Sequence, residues 1–124
     1  MERPYTLDNL DHVVLRVHDL KKSTAFYAML GGELEGEVAA GTLMRIPSGQ
    51  SIILQERREY VPAAVGALDH INLMIQAANI HDVAAYLQAT GAEIASVVDT
   101  GRVGPTVNVR DPDGHMLEIR IKRG

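Results

Sequence analysis

From Leu10 to Val17 apolar and polar positions alternate, with Val13, Leu15 and Val17 on one face and His12, Val14 and Arg16 on the other. A period of two predicts a half-buried strand. The pattern then changes. Asp19 is placed to cap a helix running to about Leu30, with Phe26, Met29 and Leu30 as its apolar stripe and Gly31-Gly32 as its stop. Alternation returns over Glu33–Val38, Thr42–Ile46 and Ser51–Glu56, the last two separated by the turn Pro47-Ser48-Gly49. The same order follows a second time. Leu68–Ile75 reads as a strand, with Ile71, Leu73 and Ile75 opposite His70, Asn72 and Met74. Asn79 caps a helix whose Ile80, Val83, Ala84 and Leu87 follow the i, i+3, i+4, i+7 spacing of a buried face, and Gly91 ends it. Glu93–Val98, Thr106–Arg110 and His115–Ile121 complete the set.

The two halves match residue by residue as well as element by element. Leu10-Asp11-His12 returns as Leu68-Asp69-His70, and Gly31-Gly32-Glu33-Leu34 as Gly91-Ala92-Glu93-Ile94. Met44-Arg45-Ile46-Pro47-Ser48-Gly49 returns as Val109-Arg110-Asp111-Pro112-Asp113-Gly114. Three collinear echoes, with small insertions between them, indicate an internal duplication. The chain, residues 1–124, is read as one α+β domain built of two βαβββ repeats, about 8–57 and 66–122.

Composition narrows the chemistry. Apolar residues make up 46% of the chain, enough for a core, and with only four Tyr and one Phe that core must be aliphatic. The net charge of −4 offers no general attraction to nucleic acid or to an anionic membrane surface. The absence of cysteine excludes disulfides and thiolate metal sites, so a metal here would take imidazole, carboxylate or amide ligands. No apolar run approaches the roughly 20 residues of a membrane span, and Met-Glu-Arg-Pro does not open a signal peptide. The expectation is a cytoplasmic protein.

Asp111-Pro112-Asp113-Gly114 reads as a type I turn, and the strand after it alternates Met116, Glu118 and Arg120 against Leu117, Ile119 and Ile121. Glu118 therefore falls on the face away from the helix, as do His12 and His70 on their strands. Two imidazoles and a carboxylate make a facial site with open positions if their strands converge. His115 follows the turn glycine and points with Leu117, which suits a turn role better than a ligand role. Arg16, Asn72, Asn108 and Arg120 share the uncovered faces and are candidates for a substrate pocket. Tyr60, between the repeats, is a candidate to cap it.

Leu-Asp-His at 10–12, Phe26-Tyr27, Leu-Asp-His at 68–70 and Asp-Pro-Asp-Gly-His-Met-Leu-Glu at 111–118 together resemble the vicinal oxygen chelate superfamily. This superfamily contains glyoxalase I, bleomycin-resistance proteins, fosfomycin-resistance transferases, methylmalonyl-CoA epimerase and extradiol dioxygenases. The resemblance runs from about Leu10 to Ile121. It implies a cup-shaped mixed sheet with the helices on its outer face. It implies one divalent metal per site (Fe, Mn, Ni, Co or Zn) held by His12, His70 and Glu118. Many members add a fourth ligand from the first repeat. Here Ile53 stands opposite Glu118 in the repeat alignment and cannot ligate. Gln55, two residues on and on the same face, is the candidate fourth ligand.

The implied activity is that of a metal-dependent enzyme acting on a small substrate chelated through neighbouring oxygens. Glu118 or metal-bound water would move the proton, in a lyase, isomerase or ring-cleaving dioxygenase reaction. Fe or Mn would point to dioxygenase chemistry, and Ni, Co or Zn to glyoxalase-like chemistry. Small members usually form homodimers that share sites between chains, which would bring His12 from one chain to His70 and Glu118 of the other. The alternative is a metal-free, bleomycin-resistance-like binding protein. The intact triad and the absence of Trp count against it.

Overall fold

The computed structural model describes residues 2–4, 6, 8–57, 59, 68–100 and 104–122. Two compact units, Met1–Tyr60 and Val61–Gly124, coincide with the two repeats. The first contains β1 (His12–Val17), α1 (Leu20–Met29), β2 (Glu33–Val38), β3 (Gly41–Arg45) and β4 (Ser51–Glu56). The second contains β5 (Ile71–Ile75), α2 (Ile80–Ala89), β6 (Glu93–Val98), β7 (Thr106–Arg110) and β8 (Met116–Ile121). Each is a βαβββ unit with a four-stranded mixed sheet, ordered β1-β4-β3-β2 in one and β5-β8-β7-β6 in the other. The first and last strands of each unit run parallel and the remaining pairs antiparallel.

Local chemistry explains why the units repeat so closely. Asp19 accepts a hydrogen bond from the Lys22 amide at 3.1 Å, and Asn79 one from His81 at 2.8 Å, so each helix starts on a side-chain cap. At the other end the amides of Gly32 and Ala92 donate to the carbonyls of Tyr27 and Leu87. Gly31 and Gly91 take the positive φ that this reversal demands, 112° and 91°. Both second strands carry a bulge at the same place, between Leu34 and Gly36 and between Ile94 and Ser96. The arginine of each echo also recurs. Arg45 Nη1 donates to the Gly49 carbonyl and Arg110 Nη1 to that of Gly114, both at 2.8 Å.

Alternation on β1, β5, β7 and β8 follows the expected faces. Leu15, Val17, Val107, Val109, Leu117 and Ile119 are buried. His12, Arg16, Asn72 and Met74 are exposed, and Asn108, Glu118 and Arg120 are half-buried. On α2 the stripe from Ile80 to Leu87 is the buried one, as expected. On α1 the expectation needs correcting: Ser23 and Tyr27 are the buried residues, while Phe26, Met29 and Leu30 are only half-buried. The i, i+4 pair Ser23 and Tyr27 faces the sheet because a small residue lets the backbone approach while the ring fills the space beside it. Phe26 packs edge-on against Tyr27, with ring centroids 5.2 Å apart. A further tie is particular to the first unit, where Glu56 Oε2, at the end of β4, accepts from the Leu20 amide at 3.0 Å. A carboxylate at a helix N-terminus meets both an orphan donor and the favourable end of the helix dipole.

Candidate metal centre

Each histidine of the repeated Leu-Asp-His stands where its chain enters the sheet: His12 opens β1, and His70 immediately precedes β5. In both, the aspartate one residue earlier turns back onto the ring. His12 Nδ1 lies 2.8 Å from Asp11 Oδ2, and His70 Nδ1 lies 2.8 Å from Asp69 Oδ2. An imidazole that donates Nδ1–H to a carboxylate keeps its lone pair on Nε2 and has its ring orientation fixed. Pattern reading did not single out these aspartates as partners of the histidines. The available signal was their position, directly before the histidine in both repeats.

In the second unit the Nε2 of His70 has a partner. Glu118 Oε2 lies 3.1 Å from it. β8 is an interior strand, so Glu118 is flanked across the sheet by Asn72 on β5 and Asn108 on β7, and its side chain is only 23% exposed. Its other oxygen, Oε1, accepts from Arg120 Nη2 at 3.0 Å. The hydrogen bond to Asp69 holds the His70 imidazolium pKa above its ordinary value, with the charges of Glu118 and Asp69 adding to the effect. Two readings of the Nε2–Oε2 contact are physically sound. Either His70 carries a second proton, or both atoms present lone pairs to a cation. The residues fit the second role. Two donors each about 2.1 Å from one cation, meeting it near a right angle, stand about 3 Å apart.

The remaining expected residues are placed as follows. Gln55 lies one row along from Ile53 on β4, in register with Arg16, and its Nε2 donates to the Ala40 carbonyl at 3.0 Å. Ile53 itself is buried. Asn108 Nδ2 donates to Ser96 Oγ at 2.8 Å. Ser96 was not anticipated, because the bulge after Ile94 breaks the alternation from which its direction would be read. Tyr60 lies outside the described residues. The structure brings Glu118 into contact with both His70 and Arg120, while His12 belongs to the first unit with its own aspartate partner.

A second set of metal-compatible groups, Asp111, Asp113 and His115, has ligand atoms within 4.8 Å of one another. Its bonding is that of a turn. Asp111 Oδ1 accepts from the amides of Asp113 and His115, at 3.0 and 2.8 Å, and Oδ2 accepts from His115 Nδ1 at 2.8 Å. This agrees with the turn role expected of His115.

Comparison with known proteins places the chain. The family described as the Glyoxalase/Bleomycin resistance protein/Dioxygenase superfamily matches residues 9–119. The chain is 29% identical over 126 residues to the glyoxalase domain-containing protein RDO1 of Mycosarcoma maydis, covering 95% of this chain and 70% of that protein. It is 26% identical over 117 residues to the glutathione transferase FosA of Serratia marcescens, covering 93% and 82%. In fold it is similar to a glyoxalase/dioxygenase from Nostoc punctiforme, with a TM-score of 0.81 at 23% identity, covering 100% of this chain and 97% of that one. With two βαβββ units, and with the family match running through His12, His70 and Glu118, the chain belongs to the glyoxalase/bleomycin resistance/dioxygenase superfamily, whose shared fold is that of the vicinal oxygen chelate proteins.

Proposed function

We propose that this protein is a divalent-metal-dependent enzyme whose small substrate is chelated through neighbouring oxygens, with His12, His70 and Glu118 as the metal ligands. The observation that carries the reading is the bonding of the imidazoles. Both histidines give Nδ1 to an adjacent aspartate, and His70 turns Nε2 to within 3.1 Å of a carboxylate oxygen. Two histidines prepared in the same way, 58 residues apart and at the same point of a duplicated unit, are hard to account for as surface chemistry.

When bound, the cation would polarise the two substrate oxygens and stabilise the negative charge that develops on them. The chain's own residues do the rest. Asp11 and Asp69 hold the rings. Asn72 and Asn108 flank Glu118 and present carboxamides to polar groups of the substrate. Arg16, exposed on β1, suits an anionic substituent. Glu118 is the group that takes and returns a proton. Gln55 Oε1 is the candidate fourth donor from the first unit. The reading extends to a homodimer in which His12 of one chain joins His70 and Glu118 of the other. The isomerase, lyase, transferase and dioxygenase reactions that this chemistry serves differ in metal and substrate, so the metal is to be identified first.

Elemental analysis of protein purified without chelator tests the proposal. The expected result is about one divalent ion per chain in the wild type and its loss in His70→Ala. Equal, near-zero metal in both proteins would favour the metal-free binding protein instead.

A further inference from the structure

Arg120 touches the acidic member of the site on the side away from His70, and the way it does so bears on how Glu118 can bind. The two residues are two apart on β8, so their side chains leave the same face of the sheet. Arg120 Nη2 donates to Glu118 Oε1 at 3.0 Å while Oε2 faces His70. The guanidinium is steadied from the other side. Its Nε lies 3.4 Å from Thr106 Oγ1, on the neighbouring strand, and that hydroxyl donates to the Gly104 carbonyl at 3.1 Å. Both members of the pair are about three-quarters buried, with side-chain exposures of 24% and 23%. The duplication supplies an internal control. At the twin positions of β4 stand Ile53 and Gln55, so the half without the carboxylate also lacks the arginine.

We infer that Arg120 is a positioning residue that makes Glu118 a one-oxygen ligand. A carboxylate grips a cation with both oxygens only if both lone-pair sets face it. A charge-assisted hydrogen bond from a planar guanidinium holds Oε1 away from that arrangement. Two imidazole nitrogens and one carboxylate oxygen leave three of six octahedral positions, or two when Gln55 also binds, enough for two adjacent substrate oxygens. A two-oxygen Glu118 would take one of them. The inference rests on the metal reading above.

The test is titration of the metal-free protein with Co(II), followed by visible absorption, for wild type, Arg120→Met and Arg120→Lys. Loss of the guanidinium is expected to change the Co(II) band shape and to leave affinity equal to the wild type or up to about tenfold tighter, since a nearby positive charge has gone. Arg120→Lys, which still offers an N–H donor, is expected to restore the wild-type spectrum. Should Arg120→Met not fold, Arg120→Leu, which likewise has no donor, serves in its place with the same expected shift. Cobalt binding by the wild type with an unchanged spectrum in the variant, or with weaker binding there, would overturn the positioning role and leave the metal reading standing. Failure of the wild type to bind cobalt would overturn both.

Discussion

Glu118→Gln is expected to weaken divalent-metal binding by more than about 100-fold while leaving the metal-free protein folded. Loss of a partner one shell further out typically costs 10- to 100-fold, and Glu118 is a ligand in the present account. The substitution is nearly isosteric. The amide oxygen still accepts from Arg120, so the packing of β8 between β5 and β7 is preserved. What changes is the atom that faces His70 Nε2, where an amide group replaces a charged carboxylate oxygen. Isothermal titration with Zn(II) or Co(II) reads the loss directly, and melting in the presence of chelator shows that the fold survives. Metal affinity unchanged in Glu118→Gln would remove this residue from the site.

The second large effect is on stability. Asp111→Ala is expected to destabilise the protein by about 4 kcal/mol, because three donors lose their acceptor at once and each buried unsatisfied donor costs roughly 1–3 kcal/mol. That is a large part of the 5–15 kcal/mol typical of a folded protein. The first repeat shows why the carboxylate is needed in the second. Both turns close with the same two backbone hydrogen bonds, Ile46 with Gln50 and Gly49 with Ile46 in one, Asp111 with His115 and Gly114 with Asp111 in the other. The first turn is exposed at Pro47, Ser48 and Gly49, so water can satisfy its spare amides. The second has Asp111 and Asp113 buried, so Asp111 must satisfy them.

The same carboxylate holds the His115 pKa above its ordinary value, chiefly through their hydrogen bond and against the opposing effect of burial. A histidine whose folded pKa is raised stabilises the fold fully below its unfolded value of about 6.5. That contribution is lost as pH rises through the folded pKa. Denaturant midpoints should therefore fall as pH rises above about 6.5, and Asp111→Asn should flatten that slope. A stable Asp111→Ala, or an unaltered slope in Asp111→Asn, would contradict this account of the turn.

Much of this architecture was legible in the chain. Glu33–Val38, Ser51–Glu56, Glu93–Val98 and Thr106–Arg110 form with the boundaries that alternation indicates. Alternation also set His12 and Glu118 opposite the buried positions of β1 and β8. Three features were not legible, for different reasons. Ser23 and Tyr27 line the buried face of α1 because packing against a sheet rewards a small residue beside a large one, which hydrophobicity alone does not rank. Ser96 is turned toward Asn108 by a bulge, and a bulge resets the period from which direction is read. Spacing puts Arg120 on the same face as Glu118, but their contact depends on side-chain rotamers and on the neighbouring Thr106. The proposed pairing of His12 with His70 has no basis in that pattern, since alternation within a strand carries no information on how two halves, or two chains, are set against each other.

The most direct measurement is a crystal structure of the cobalt-loaded protein with data collected at the cobalt absorption edge. The account predicts one anomalous peak per chain, within about 2.3 Å of Nε2 of a His12, Nε2 of a His70 and one oxygen of Glu118. A peak at Asp111, Asp113 and His115 instead, or no peak at the histidines, would contradict it.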